Sequence, residues 1–170
     1  RLTARILDLG FAYLSSLPIW NLAEPLMETL AGQVKESCSA AVLDGTDIVY
    51  VMRVSTHKIM SISLGVGSRL PAYCTSMGRM LLSALPPDQM MEVLQTSERN
   101  ARTRYTVTDP DELAAKIAQV RKQGWSMVNQ ELEEGLVSMA AAINDRTGQT
   151  VAALNISGQA NRTSAKVMQE

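Results

Sequence analysis

Apolar residues recur at helical spacing from Thr3 to Ser16, through Ile6, Leu9, Tyr13 and Leu14, and Leu7 and Phe11 widen the stripe beyond one narrow face. The spacing predicts a helix, unusually apolar for a terminus. Pro18 ends it, and Leu22, Leu26 and Leu30, four apart, predict a second helix from about Asn21 to Glu36. On this reading Pro25 belongs near the first turn, because further inside it would delete a backbone hydrogen bond. From Cys38 the period falls to two. Cys38, Ala40 and Val42 alternate with Ser37, Ser39 and Ala41, and Asp44-Gly45 turns the chain into Ile48–Val54, a hairpin pattern. Ile59–Leu64 alternates again and predicts a third strand, whereas Gly65–Pro71 reads as a loop from its glycines and proline.

Helical spacing then resumes. Thr75 or Ser76 can cap a segment reaching Ala84, and Pro86-Pro87-Asp88 opens another through about Leu94. Thr96–Thr108 has no clean period and reads as a connection. Asp109-Pro110-Asp111-Glu112 supplies an N-cap acid, a proline at the first helical position and a glutamate in capping-box register; Leu113, Ile117 and Val120 follow, and Gly124 closes the helix. Trp125–Gln130, Val137–Asn144 and Thr150–Ser157 read as strands, the last two joined at Thr147-Gly148, and Asn161 onward is compatible with a truncated helix. Two helices, three strands, three helices and three strands predict an α+β domain, an antiparallel sheet flanked by helices.

Composition narrows the function. A chain of 170 residues, 46% hydrophobic, can bury one sizeable core and predicts one globular domain. A formal charge of -1 argues against a phosphate-binding face, which needs concentrated Lys and Arg. The longest apolar runs, such as Val137–Ile143, are too short to cross a bilayer. Opening at Arg1 with no signal-peptide pattern, the chain reads as an excised cytoplasmic fragment. Cys38 and Cys74 form no C-x-x-C pair and read as reduced thiols, although spacing leaves their pairing open. The single histidine, His57, lies in a polar Ser-Thr-His-Lys loop, which suits a solvated side chain and removes most metal and triad chemistries.

Enzyme motifs fare poorly. Gly65-Val-Gly67 opens like a dinucleotide loop, but Leu70 stands where the third glycine belongs and Pro71 follows instead of a helix. Cys74 or Ser76 could serve as the nucleophile of a small hydrolase or transferase, yet no base lies near in sequence, and an inert thiol and a helix cap are the plainer readings. Glu131, Glu133 and Glu134 could suggest acid/base or metal work, but a carboxylate run at a strand edge is more often a solvated face. A third alternative is a structural dimerisation module, invited by the apolar first helix.

A ligand site fits better. Thr75-Ser76-Met77-Gly78 stands where a loop enters a helix, so the N–H groups of Ser76, Met77 and Gly78 and the positive helix end could hold a carboxylate; an ordinary capped helix accounts for the same tetrapeptide. Ser138, Asn155 and Ser157 interrupt apolar strands, where an unpaired polar group costs about 1–3 kcal/mol. By strand parity they either share one cavity or bond backbone and water.

Two long stretches carry a resemblance. Ile59-Met-Ser-Ile-Ser-Leu-Gly-Val-Gly-Ser-Arg-Leu-Pro-Ala-Tyr-Cys-Thr-Ser-Met-Gly-Arg-Met-Leu-Leu82 resembles the signature of IclR-family regulators, and Glu133-Glu-Gly-Leu-Val-Ser-Met-Ala-Ala-Ala142 resembles their second one. The opening Leu2–Leu14 resembles the segment after the DNA-binding wing. The nearest likeness is to regulators of aromatic-acid and β-ketoadipate pathways. The resemblance implies a GAF-like, non-enzymatic effector domain over residues 18–170, with a six-stranded antiparallel sheet, and a linker helix over 1–17 from a winged helix-turn-helix module not included here. It implies a small carboxylic acid effector, DNA contact only through that module, no membrane, no cofactor or metal, and a homodimer or homotetramer. Its effector site maps onto Ser76, Met77 and Gly78, onto Val128, Ser138, Asn155 and Ser157, and onto an apolar wall of Ile59, Ile62, Leu70 and Leu136. Members that bind small keto acids can carry an acid where Val128 stands, so a larger or aromatic acid is expected here.

Overall fold

The computed structural model describes residues 3, 5–15, 19–55 and 64–161. Residues 59–63 of the expected third strand Ile59–Leu64, with His57, Ile59, Ile62 and the expected helix beyond 161, lie outside them, and Leu64 is not in a strand. Six strands form one antiparallel sheet: β1 (Ser37–Asp44), β2 (Asp47–Val54), β3 (Arg69–Pro71), β4 (Trp125–Asn129), β5 (Leu136–Asn144) and β6 (Thr150–Gln159), in the order β3-β2-β1-β6-β5-β4. α1 (Ile6–Ser15) and α2 (Ile19–Val34) precede the sheet, and α3 (Ser76–Ala84), α4 (Pro87–Thr96) and α5 (Pro110–Gln123) lie between its halves.

Strand alternation divides the core in two. Ala41, Ile48, Tyr50, Ala140 and Ala153 face α3, α4 and α5, while Cys38, Ala40, Val51 and Ala152 face α2 through Trp20, Met27 and Ala31. A bulge breaks the alternation: Ala40 pairs with Met52 and Ala41 with Tyr50, leaving Val51 as the extra residue. The α5 caps form as the sequence requires, with Asp109 accepting from the Glu112 N–H at 2.8 Å and Gly124 taking φ 83°.

Two expectations are corrected. The 65–71 segment is not all loop, because a turn at Gly67 returns Arg69–Pro71 as edge strand β3 against β2. Pro71, which has no N–H to give, ends that strand. Pro25 stands well inside α2 rather than in its first turn. Trp20, Met27 and Ala31 pack the helix onto the sheet, and Asn21, whose carbonyl the proline leaves unpaired, is exposed to water. That packing also leaves Leu22 and Leu26 each 70% exposed, so the leucine spacing read from sequence is not the buried stripe.

Candidate functional site

The start of α3 lies over the middle of the sheet. A 3-10 turn, Ala72–Cys74, leads into it and packs so closely that a Cβ on Gly78 would lie 2.2 Å from the Ala72 carbonyl oxygen. Glycine is the one residue that allows this approach. Thr75 is the N-cap, its Oγ1 accepting from the Gly78 N–H at 3.2 Å. Of the three amides expected to be free, Gly78 is therefore engaged. The Ser76 and Met77 N–H groups have no earlier helical carbonyl to reach, and they carry the positive end of the helix dipole. The Ser76 Oγ is buried without a hydrogen-bond partner among the described residues.

Opposite these amides, the sheet presents Val128, Ser138 and Ser157 in one cross-strand row, Val128 paired with Ser138 and Ser138 with Ser157. Asn155, two residues from Ser157 on the same face, donates through Nδ2 to the Ser157 Oγ at 3.0 Å, and its buried Oδ1 has no partner. These side chains, with Tyr50, Cys74, Thr75, Ser76, Met77, Leu132 and Leu136, line a cavity of about 20 Å³. That volume holds on the order of one water. Polar groups that need partners thus face each other across an otherwise apolar hollow.

Most of the residues named from sequence meet here. Leu70 does not: it packs into the core from β3 and borders a separate cleft with Arg69 and Asn100. β3 is three strands from β6, about 14 Å at the usual strand spacing, so Leu70 stands apart from the polar residues of β5 and β6. Tyr50 and Leu132 were missed. The alternation of Ile48 and Tyr50 within β2 could have shown that Tyr50 points inward. Burial pushes its phenol up to about 12 against the opposing pull of Arg53, so it is a neutral hydroxyl. Burial also pushes the Cys74 thiol up to about 11, the reverse of what a nucleophilic cysteine needs.

The acidic run is not simply a solvated face. Glu131 is buried and forms a two-pronged pair with Arg79, itself 3% exposed: Nη1 to Oε1 at 2.7 Å and Nη2 to Oε2 at 2.5 Å. Arg79 Nε donates to the Tyr73 carbonyl at 2.8 Å, and Glu131 Oε2 also accepts from the Val107 N–H at 3.1 Å. The pair therefore ties the turn before α3 to the 97–109 connection and to the β4–β5 segment that carries Leu132. With three guanidinium donors and both carboxylate oxygens engaged, the pair braces the cavity walls.

An antiparallel sheet, a helix start and partnerless polar groups around one hollow are the parts of a ligand-binding domain. Residues 11–170 match the family of bacterial transcriptional regulator IclR C-terminal domains, and the chain belongs to it. It is 45% identical over 170 residues to the Pca regulon regulatory protein of Pseudomonas putida, covering 99% of this chain and 58% of that protein. The chain thus spans little more than half of that relative. Among solved structures it resembles a transcriptional regulator from Rhodococcus sp. RHA1, with 48% identity and TM-score 0.91 over 99% of this chain and 69% of that one. It also resembles a double mutant of the PobR inducer-binding domain from Acinetobacter in complex with 3-hydroxybenzoic acid, with 29% identity and TM-score 0.81 over 91% of this chain and 89% of that one. These relatives are named as regulators, and the chain corresponds to the C-terminal domain family of such regulators. No described helix is long and apolar enough to cross a membrane.

Proposed function

We propose that a small organic acid, aromatic or dicarboxylic, binds in the cavity with one carboxylate on the Ser76 and Met77 amides, and that binding biases how a DNA-reading module is held. The observation that carries this reading is the pair of helix-start amides on residues that line a hollow with buried, partnerless polar atoms on Ser76 and Asn155. A carboxylate would satisfy the amides and draw on the dipole, and a ligand hydroxyl or the second end of a longer acid would reach Asn155 and Ser157. The relative bound to 3-hydroxybenzoic acid supports the ligand class. A cavity of about 150 Å³ accommodates benzene. Binding therefore widens the hollow, and Met77, unbranched and adaptable, is the side chain best able to move.

Residues 1–17 serve as the link to the DNA-reading module in this proposal, and 18–170 as the sensor, in a cytoplasmic homodimer or homotetramer. Leu9 and Phe11, 71% and 74% exposed, support self-association through the linker. The test is calorimetry with 3-hydroxybenzoate and adipate against their methyl esters. The acids bind at least about tenfold tighter than the esters on this account. Equal binding of acid and ester removes the amide anchor.

A further inference from the structure

Among the described helices only α2 carries a proline in its interior; the prolines of α4 and α5 stand at their starts. Pro25 offers no N–H to the Asn21 carbonyl. One turn on, the Thr29 hydroxyl donates to the Pro25 carbonyl at 2.9 Å, a back-bond that competes with the helix ladder and bends it. Asn21, Pro25 and Thr29 are all exposed, so both weaknesses lie on the solvent side, where water can take up a freed carbonyl.

The two arms around the proline are held unequally. After it, Met27 and Ala31 are fully buried and Leu30 packs with them; before it, the buried anchor is Trp20, with Ala23 partly covered. Trp20 is an imperfect anchor, because its indole Nε1 is buried with no hydrogen-bond partner among the described residues. An unmet buried donor offsets part of what the ring gains by packing, so the first arm is the easier one to release. The cluster that seats Trp20 also contains Val51, the extra residue of the β2 bulge, and its chain neighbour Tyr50 lines the cavity. The seat of the first arm and the sensing face therefore share one bulge, a place where the strand ladder is interrupted.

We infer that Pro25 is a joint: residues 19–24, with Trp20, open from the sheet as one unit while 26–34 stay seated, and effector binding changes how often they do so. The role in sensing rests on the effector reading proposed above; the joint itself does not. Hydrogen exchange followed by NMR on the 15N-labelled chain tests it, with Trp125→Phe identifying the Trp20 indole resonance. The Ala23 and Glu24 amides and the Trp20 indole N–H share one opening, at least about tenfold more populated than that of Leu30 and Ala31. Pro25→Ala, which restores the bond to Asn21, brings the two arms within about threefold, and Thr29→Ala, which removes only the back-bond, narrows the gap partway. Saturating 3-hydroxybenzoate changes the ratio between the arms at least about threefold. Equal opening on both sides of Pro25, a gap that Pro25→Ala leaves in place, or amides that open while the indole stays protected, as in simple fraying, overturns the joint. Saturation by calorimetry with the ratio unmoved overturns its role in sensing. If no acid binds while the gap and its dependence on Pro25 hold, the effector reading fails and the joint stands.

Discussion

α3 and α2 lie against opposite faces of one sheet, and they differ in how much of themselves they bury. Eight of the nine residues of α3 are buried, whereas α2 commits Trp20, Met27 and Ala31 and leaves Leu22 and Leu26 in solvent. The α3 layer is tied by an N-cap, a glycine contact and the Arg79–Glu131 pair; α2 rests on apolar contact with β1 and β2. The difference teaches where a sensor can keep partnerless polar atoms. A site that withholds hydrogen bonds for a ligand needs its walls fixed by other interactions, and only the α3 face has them.

The contrast can be broken first at the buried ion pair. Glu131→Ala strands the Arg79 guanidinium in the interior and is expected to cost about 3–5 kcal/mol in urea unfolding, while replacing both partners by apolar residues recovers much of the loss. The surface pair of Arg69 with Asp44 offers the control, since its removal leaves the midpoint unchanged within error. Next come the glycines of the two helices. Gly78→Ala drives a methyl into the Ala72 backbone and is expected to destabilise by about 1–3 kcal/mol. Gly32→Ala in α2 meets nothing within 4 Å and is expected to stabilise by about 0.5–1 kcal/mol. A loss at both positions would erase the distinction between the layers.

Smaller effects sharpen it. Ser138→Leu fills the hollow and is expected to weaken acid binding at least tenfold, about 1.4 kcal/mol, in a protein that still melts cooperatively. Serine at both Leu22 and Leu26 is expected to change unfolding by no more than about 0.5 kcal/mol and to reduce self-association in sedimentation velocity. Unaltered sedimentation would show that the open leucines of α2 have no role in assembly.

Much of this was legible in the sequence because local rules carried it. Asp109-Pro110 and Gly124 mark α5 by capping chemistry alone, and the parity of Ser138, Asn155 and Ser157 brought three cavity residues to one face. What stayed hidden depends on distance along the chain or on broken periodicity. Arg79 and Glu131 stand 52 residues apart, so neither announces its partner, and the glutamate read as one of a solvated run. β3 carries the glycine and proline content of a loop and becomes a strand only through its register with β2. The bulge at Val51 turns Arg53 to the side that simple alternation would not assign. In α2 two apolar stripes compete, and the sheet selects the one containing Trp20 over the more regular leucines.

Amide NMR of the 15N-labelled chain, titrated with 3-hydroxybenzoate and with adipate, tests most directly whether a carboxylate seats on the start of α3. The Ser76 and Met77 amide protons should move downfield on saturation by far more than Gly78, whose N–H already bonds Thr75. Saturable binding that leaves Ser76 and Met77 in place would contradict the account.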